Sequence, residues 1–314
     1  MSTVMKKVLI AAPVHPVLRE GLQKAGYEYI VHEKITQQQA YELVKDVMGI
    51  ITSTRLQLDK TLIDAAPNLQ WIGRMGSGME VIEVPYAESK GINCFGSPDG
   101  NANAVAEHAL GMLLSLNKRI IQAHNEIKQG EWLREENRGT ELEGKTIGLI
   151  GFGHTGRAFA RKLMGFDMQI LAYDKYSRDS VPQYVARCKT LEPIYNHADI
   201  ISFHVPLQAD TTHYFNHTFL EKVKKPFILI NTSRGVVVDN EVLWHGIQQN
   251  KICGVCIDVW EEEPISVMSE RQKTILNNIA SLSNAVLTPH IAGYSHEALF
   301  KMSKILLDKI VTHQ

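Results

Sequence analysis

The feature that most constrains the fold is a six-residue turn, Gly-Phe-Gly-His-Thr-Gly, that begins at Gly151. The apolar run Thr146–Ile150 before it is typical of a strand, and the helical pattern Arg157–Gly165 follows it. Glycines in such a turn permit a tight bend and a close approach of the backbone to a pyrophosphate, whose charge a helix N-terminus favours. Strand, turn and helix in this order therefore predict a dinucleotide site. The glycines expected to line it are Gly151, Gly153 and Gly156.

An acidic residue stands where such a site needs one. The next predicted strand ends at Asp174, 23 residues after Gly151. A carboxylate at this distance accepts hydrogen bonds from the adenosine ribose and repels the extra phosphate of NADP, so NAD is the expected cofactor. Lys175 and Arg178 are close enough in sequence to counteract that repulsion. The alternative interpretation of the same residues is a tight turn and a surface aspartate that bind no cofactor.

Short apolar runs alternate with amphipathic segments along almost the whole chain, which is the pattern of parallel sheets covered by helices. Five strands are predicted in the first series: Lys7–Ala12, Tyr27–Val31, Gly49–Thr54, Gln70–Gly73 and Ile92–Phe95. Six are predicted in the second: Thr146–Ile150, Gln169–Tyr173, Ile200–Val205, Phe227–Asn231, Val255–Val259 and Ala285–Leu287. A long helical pattern, Asn103–Gln129, joins the two series, and Ser295–His313 is predicted as a final helix.

These patterns predict an α/β protein with two doubly wound domains, which suits a length of 314 residues. The final helix follows the last strand and is expected to pack back on the first domain. The expected arrangement is a Rossmann dinucleotide-binding domain, 99–293, inserted in a flavodoxin-like substrate domain made of 1–98 and 294–314.

Composition and charge limit the partners. Hydrophobic residues make up 44% and charged residues 21% of the chain, so each domain can bury a core. The net charge of −1 gives no reason to expect nucleic acid or an anionic membrane as partner. There is no apolar stretch of the ~18 residues that a membrane span needs, and the N-terminal apolar run is too short for a signal peptide. Four cysteines without a disulfide spacing favour a reducing cytoplasm.

No metal site is expected from the cysteines or histidines. Cys253 and Cys256 form a C-x-x-C, but they lie in an apolar run typical of a buried strand, where positions three apart point to opposite faces. We therefore interpret them as small hydrophobic residues. No cluster shows metal-ligand spacing. Histidines without a motif around them are predicted to be surface or packing residues; these include His15, His108, His124 and His245.

Three polar segments follow the later strands, at the sheet edge where a doubly wound fold binds its ligands. They are Asn231–Gly235, Asp258–Pro264 and Thr288–Gly293. With the glycine turn and three further motifs, they resemble the D-isomer-specific 2-hydroxyacid dehydrogenases over nearly the whole chain. The further motifs are Arg74–Gly78, Asn103–Glu107 and Ser202–Leu207. The resemblance implies an enzyme that transfers hydride between NAD and a small D-2-hydroxy acid.

The resemblance also assigns the catalytic roles. Arg234 corresponds to the arginine that binds the substrate carboxylate and polarises the keto oxygen, tasks that suit its planar fork. His290 corresponds to the general acid/base, and Glu263, just before Pro264, to the carboxylate that orients it. The neighbouring Glu261 and Glu262 are interpreted as an exposed acidic loop. Singly, an arginine before glycine or a histidine after proline would be a solvated or turn residue; their joint order carries the assignment.

Further binding residues follow from the same resemblance. Along the cofactor it places Thr155, His204, Pro206, Thr232, Asp258 and Gly293. Backbone N–H groups around Ser77 and Gly78 are expected to hold the substrate carboxylate. The sequence departs from the family after this glycine loop, because Glu80 and Val81 stand where Asp-Asn is usual, which leaves the details of the loop open.

Within the family the sequence is most similar to D-3-phosphoglycerate dehydrogenases, which implies a role in serine biosynthesis. Arg74 matches a position that contacts the substrate phosphate. A second such arginine would fall at Ser53, and Arg55 is a possible substitute because it points the same way along an extended chain. The chain stops soon after its last predicted helix, so no C-terminal regulatory domain and no serine feedback are expected. A glyoxylate or hydroxypyruvate reductase is the alternative within the family.

Alternatives of other classes remain. A non-enzymatic NAD(H)-sensing corepressor built on this fold keeps the same triad; long disordered extensions would favour it, and the sequence has none. An enzyme-like dimer retained for structure alone conflicts with intact site residues. The long helix with Glu131–Trp132 resembles the family's dimer arm, so a homodimer is expected.

Overall fold

The computed structural model describes residues 6–176 and 179–313, and its chain divides into two compact units. The first unit combines Met1–Ala102 with Tyr294–Gln314, and the second is Asn103–Gly293. Arg178, which the sequence raised as a residue able to offset Asp174, lies outside the described residues. Within the described ranges, no helix has both the length and the hydropathy to cross a membrane.

The first unit is built on a parallel five-stranded sheet with the order β2-β1-β3-β4-β5. This is the flavodoxin-like order that the sequence predicted. The strands are β1 (Lys6–Ile10), β2 (Tyr27–Val31), β3 (Gly49–Thr52), β4 (Trp71–Arg74) and β5 (Asn93–Gly96). The helices within the unit are α1 (Pro16–Lys24), α2 (Gln37–Leu43), α3 (Lys60–Asp64), α4 (Val84–Ser89) and α12 (His296–Thr312).

The C-terminal helix α12 completes the core of the first unit. Leu306, Leu307 and Ile310 are buried in one cluster with residues of β1, β3 and β4. Burying each of these side chains stabilises the unit by roughly 1.5–3 kcal/mol. The helix begins cleanly because Ser295 caps it, its hydroxyl accepting a hydrogen bond from the N–H of Ala298 at 2.9 Å.

The second unit carries a parallel seven-stranded sheet with the order β12-β11-β10-β9-β6-β7-β8. Its strands are β6 (Thr146–Ile150), β7 (Gln169–Tyr173), β8 (Val185–Cys188), β9 (Ile200–Phe203), β10 (Phe227–Asn231), β11 (Ile252–Ile257) and β12 (Ala285–Leu287). Its helices are α6 (Ile120–Lys128), α7 (His154–Leu163), α8 (Glu192–His197), α9 (His217–Lys222), α10 (Asn240–Gln248) and α11 (Glu270–Ala280). The order confirms the predicted Rossmann fold, in which β12 lies at one end of the sheet beyond the six strands of the usual order.

The strand order of the second sheet reverses between β6 and β9, which are neighbours. Every residue of β6 is buried, as expected for a central strand covered on both faces. In open α/β sheets, ligands bind outside the carboxyl ends of the strands at such a reversal. The turn after β6 and the loop after β9 are therefore the place to look for a cofactor site.

Two expectations about helices and strands were wrong. The single helix predicted over Asn103–Gln129 is two helices, α5 (Pro98–Asn117) and α6, separated by Arg119 with a left-handed φ of 52°. The six predicted strands of the second sheet are seven, because β8 was missed. β8 is a four-residue edge strand whose two central residues are exposed, so it has little hydrophobic signal.

Candidate active site

The glycine turn after β6 is fixed by close packing against its neighbours. Gly151 has a φ of 92°, and a Cβ there would lie 2.5 Å from the carbonyl oxygen of His204. A Cβ at Gly156 would lie 2.3 Å from the carbonyl oxygen of Gly151. Both positions therefore exclude any side chain, and the turn brings the ends of β6 and β9 together.

Gly153 differs from the other two glycines, because a Cβ there would meet no atom within 4 Å. It is the N-cap residue of α7, and no side chain caps the first turn of that helix. The first N–H groups of a helix and its dipole favour an anion, so this open face fits the pyrophosphate of a dinucleotide. A side chain at Gly153 would fill that space.

Asp174 follows β7 and is held beside the glycine turn. Its Oδ2 accepts a hydrogen bond from the N–H of Phe152 at 2.7 Å, and its Oδ1 accepts one from the N–H of Tyr176 at 2.9 Å. Lys175 points elsewhere, since its Nζ lies 2.6 Å from Oδ2 of Asp210. The carboxylate is thus fixed in place next to the turn, and the neighbouring lysine is already paired with another acid.

Two predicted cofactor residues follow β9 and β10. The ring of His204 is buried, with its Nε2 2.9 Å from the hydroxyl of Ser202, and its backbone carbonyl lies against the glycine turn. Burial lowers the pKa of His204 to about 4, which keeps the ring neutral. The hydroxyl of Thr232 is buried and has no hydrogen-bond partner among the described residues. That unsatisfied group fits a polar ligand such as a dinucleotide.

Asp258, also predicted along the cofactor, holds the loop that contains His290. The carboxylate is 1% exposed and accepts hydrogen bonds from the N–H groups of Ile291 and Ala292 at 2.8 and 2.9 Å. Its backbone carbonyl accepts one from the N–H of His290 at 2.7 Å. Three successive N–H groups are therefore tied to one residue. His290 itself has a φ of 56°, a left-handed conformation that needs such support.

The sequence-predicted pair of His290 and Glu263 is in direct contact. Nδ1 of His290 lies 2.6 Å from Oε2 of Glu263, and Oε1 of Glu263 accepts a hydrogen bond from the N–H of Trp260 at 2.7 Å. Both side chains are partly exposed, 42% for His290 and 30% for Glu263. Nε2 of His290 has no partner in the described part of the chain. This geometry can orient an imidazole and present its second nitrogen to a substrate.

Arg234 lies in a turn organised by Asn231 at the end of β10. The Asn231 side chain accepts hydrogen bonds from the N–H and hydroxyl of Ser233 at 3.1 and 2.8 Å, and donates one to the carbonyl of Arg234 at 3.0 Å. Gly235 is required next, because a Cβ there would lie 1.7 Å from the carbonyl oxygen of Trp260. The turn of Arg234 and the loop of Glu263 are therefore packed backbone to backbone.

The predicted substrate residues of the first unit lie at the carboxyl end of β4 or in the loops after β3 and β4. The Arg74 side chain donates to the carbonyl of Met75 and lies over Gly76, and the residue is only 5% exposed. Ser77 is exposed and Gly78 is buried. Arg55 is exposed, three residues beyond the end of β3. β3 and β4 are parallel neighbours, with Thr52 paired to Arg74. The two arginines therefore lie on the side of the sheet where the carboxyl ends of its strands are found.

Other sequence-based candidates have separate environments. Cys253 and Cys256 lie on β11 as free thiols, the first exposed and the second buried. Burial raises the pKa of the Cys256 thiol, which suits the predicted packing role. Cys253 is exposed, so the prediction of a buried side chain was wrong for this residue. Within 6–176 and 179–313, no group of three or more His, Cys, Asp or Glu residues is arranged to hold a metal ion.

The sequence analysis missed several residues that support the site. Glu261 was interpreted as part of an exposed acidic loop, yet only 14% of its side chain is exposed and it contacts His213. Glu262 accepts hydrogen bonds from Ser269 at the start of α11, and so serves a helix instead. His108 was predicted to be a surface or packing residue, yet its Nε2 lies 3.0 Å from the Thr288 hydroxyl. No local motif marks these contacts, because their partners lie from 7 to 180 residues away in the sequence.

Comparisons with known proteins give the family of this chain. The NAD-binding domain of the D-isomer specific 2-hydroxyacid dehydrogenases matches residues 110–292. D-3-phosphoglycerate dehydrogenase of Archaeoglobus fulgidus is 32% identical over 97% of the chain, and the chain spans 56% of that protein's length. Hydroxypyruvate reductase of Thermotoga maritima is 33% identical over 90% of the chain, and the chain spans 89% of that protein's length.

A solved structure shows the same architecture. D-lactate dehydrogenase of Aquifex aeolicus, complexed with NAD and lactic acid, superposes with a TM-score of 0.84 at 26% identity. The match covers 97% of this chain and 94% of that one. The chain therefore belongs to the D-isomer-specific 2-hydroxyacid dehydrogenases. Within that class, the matched region is the family's NAD-binding domain, which confirms the cofactor that the sequence predicted.

Proposed function

We propose that the second unit oxidises the CH–OH group of a small D-2-hydroxy acid with Arg234, Glu263 and His290 as its catalytic residues. Nε2 of His290 takes the proton of the substrate hydroxyl, and Glu263 stabilises the resulting imidazolium through the contact at Nδ1. The guanidinium of Arg234 binds the substrate carboxylate. Bound NAD supplies the acceptor for the hydride that leaves C2. The observation that carries this proposal is the 2.6 Å contact between His290 and Glu263.

The cofactor residues are proposed on the contacts of the turn after β6. Backbone N–H groups of the glycine turn and α7 hold the pyrophosphate, and Asp174 accepts the ribose hydroxyls. The buried hydroxyl of Thr232 supplies a further hydrogen bond. The remaining members of the proposed set are Thr155, His204, Pro206, Asp258 and Gly293. His204 and Asp258 serve through their backbone or their loops, since their side chains are used internally.

For the substrate we propose D-3-phosphoglycerate, which is converted to 3-phosphohydroxypyruvate as in serine biosynthesis. Arg55 and Arg74 support this choice, because two cations near the carboxyl ends of neighbouring strands can bind a phosphate. The relative from Archaeoglobus fulgidus carries the corresponding name.

Hydroxypyruvate or glyoxylate reduction is the second candidate, and a specific observation favours it. The Arg74 side chain donates to the carbonyl of its own neighbour and is 5% exposed, so a phosphate contact requires it to turn outward. The reductase from Thermotoga maritima is also matched along most of its length.

An initial-rate panel separates the two candidates. The wild type is assayed with 3-phosphoglycerate, glycerate, hydroxypyruvate, glyoxylate and D-lactate, each with both nicotinamide cofactors. His290→Ala should lower kcat on every substrate by roughly 10²–10⁴-fold, the usual effect of a positioned proton-transfer group. Arg55→Ala and Arg74→Ala should lower kcat/KM for 3-phosphoglycerate by roughly 10- to 100-fold, since a charge-assisted contact contributes about 1.5–3 kcal/mol.

The arginine variants should spare hydroxypyruvate, which has no phosphate to lose. Lys24→Ala is the matched control, because this exposed cation ends α1 just before the chain enters β2, at the opposite edge of the same sheet. Equal losses on phosphorylated and unphosphorylated substrates would reject the phosphate assignment and favour the reductase. Activity of His290→Ala within a few-fold of wild type would reject the proposed chemistry itself.

We also propose a homodimer that forms through α6. None of the residues of α6 is buried. Its apolar residues Ile120 and Ile127 are both more than half exposed. Trp132, just beyond the helix, is 78% exposed. An exposed apolar surface of this kind is typical of a protein interface. A reducing cytoplasm is the proposed location, which rests on the four free cysteines.

A further inference from the structure

Glu261 is fixed by contacts that the catalytic chemistry does not require. Its Oε2 lies 2.8 Å from Nε2 of His213, and its Oε1 accepts a hydrogen bond from the N–H of Asn240 at 2.7 Å. Gln272, which is 9% exposed, lies 3.5 Å from the same Oε1. A carboxylate held from three sides makes a rigid anchor for the loop in which it stands. That loop contains Glu263, two residues further on.

His213 connects this anchor to the turn of Arg234. Its N–H donates to the carbonyl of Val236 at 2.7 Å, and Val236 lies two residues after Arg234. His213 has a left-handed φ of 46°, an uncommon conformation for a histidine, which the contacts on both sides of the residue support. The charged groups that face its ring are Glu261 and, at 3.8 Å, Asp239. One residue therefore links the segment after the proposed carboxylate-binding arginine to the loop of the proposed catalytic carboxylate.

The link continues to the catalytic pair through the backbone. Trp260, directly before Glu261, donates its N–H to Oε1 of Glu263, and its carbonyl packs on Gly235. A shift of Glu261 would move the N–H that holds one oxygen of Glu263. The other oxygen of Glu263 bonds His290, so the shift would reorient the imidazole as well.

We propose that His213, acting through Glu261, is a positioning residue for the Glu263–His290 pair. The inference rests on the proposed catalytic roles of those two residues. His213 does not touch the reacting atoms, so its loss should misalign proton transfer without removing a binding group. Because a 1 Å misplacement can cost about 100-fold in rate, kcat should fall by roughly 10-fold or more while KM changes little.

A double-mutant cycle on the 314-residue chain tests this role. His213→Ala should lower kcat by roughly 10-fold in the wild type and by less than about 2-fold in Glu263→Gln, because the pair that it positions is then already broken. In the direction of alcohol oxidation, Glu263→Gln should move the acidic limb of the pH–rate profile to lower pH, since a neutral amide no longer stabilises the imidazolium. His213→Ala should move it in the same direction.

Two further variants separate positioning from general destabilisation. His213→Gln keeps a donor near the position of Nε2 and should restore most of kcat. Glu262→Gln changes the adjacent carboxylate, which accepts hydrogen bonds from Ser269 at the cap of α11, and should leave the pH profile unchanged. Thermal melts show whether each variant is folded at the assay temperature.

The possible failures are distinguishable. Equal fold-losses from His213→Ala in both backgrounds, or a wild-type pH profile in His213→Ala, would overturn the positioning role alone. A wild-type rate and profile in Glu263→Gln would overturn the proposed catalytic role of Glu263, and the inference would fall with it.

Discussion

At the scale of single residues, three successive glutamates in one loop have three different functions. Glu263 contacts His290, Glu261 is anchored by His213 and Asn240, and Glu262 accepts hydrogen bonds at the start of α11. Only Glu263 was singled out from the sequence, because it precedes a proline as in the family motif. The others depend on partners seven or more residues away, which a local pattern does not reveal.

The buried ring of His204 should make stability depend on pH. Burial lowers its pKa to about 4, whereas histidine in an unfolded chain titrates near 6.5. Between these values the unfolded state binds a proton that the native state excludes, so stability falls as pH decreases through this range. We expect His204 to account for a loss of about 2 kcal/mol between pH 7.5 and pH 5.

Urea unfolding of the wild type and His204→Gln at the two pH values measures this contribution. The variant should lose less stability on acidification, because glutamine does not titrate. His197→Gln, an exposed histidine at the end of α8, is the control and should behave as the wild type. An identical pH dependence in His204→Gln would show that the ring is protonated in the native state.

At the scale of elements, the segment that contains β6, the glycine turn, α7 and β7 should determine the choice of cofactor. Asp174 is fixed by two backbone N–H groups and cannot move away from a 2′-phosphate without breaking them. We expect NADH to give a higher kcat/KM than NADPH, and Asp174→Ser to cost roughly 10- to 100-fold with NADH through lost ribose contacts.

Asp210→Asn provides a matched test of the lysine next to Asp174. Asp210 holds Lys175 at 2.6 Å and raises the pKa of Lys175, so its removal frees a cation beside the site. The variant should gain activity with NADPH and keep its activity with NADH. Equal use of the two cofactors by the wild type would instead show that cations near Asp174 already neutralise it.

The elements also show where sequence patterns stop being informative. Buried strands such as β6 and β10 begin and end where predicted, because their apolar runs coincide with their burial. The break between α5 and α6 was not predictable, since neither glycine nor proline marks it. Thr140 donates its N–H to the carbonyl of Asn117 at 2.9 Å, and a Cβ at Gly139 would lie 2.5 Å from that oxygen. A segment more than 20 residues away therefore ends α5.

Prediction of the candidate site shows the same division. The residue types of the triad and the glycine turn could be read from their motifs, and the contact of Glu263 with His290 agrees with that assignment. The inward orientation of the Arg74 side chain could not be predicted from a motif, because it depends on the left-handed φ of Gly76 and on the carbonyl of Met75. The support proposed for the Glu263–His290 pair through His213 depends on tertiary contacts between three loops, which no local motif reveals.

At the scale of the whole molecule, the exposed face of α6 predicts the assembly. A chain of 35.3 kDa should sediment as a dimer of about 70 kDa. The double variant Ile120→Glu/Ile127→Glu should be monomeric, because burying two uncompensated carboxylates in an interface is strongly unfavourable. Met164→Glu, at a residue of the same unit that is 55% exposed, should remain dimeric. A monomeric wild type, or an unaffected double variant, would contradict the proposed interface.

The division of the first unit along the chain has a consequence for synthesis on the ribosome. β1 to β5 are made first, yet Leu306 and Leu307 of α12, which pack with β1, β3 and β4, follow β5 by about 210 residues. At roughly 5–20 residues per second, that interval lasts on the order of 10–40 s. The contiguous second unit can fold during this time. The strands that emerge first are thus the last to be covered, and a nascent-chain chaperone would find its apolar target in the unfinished sheet.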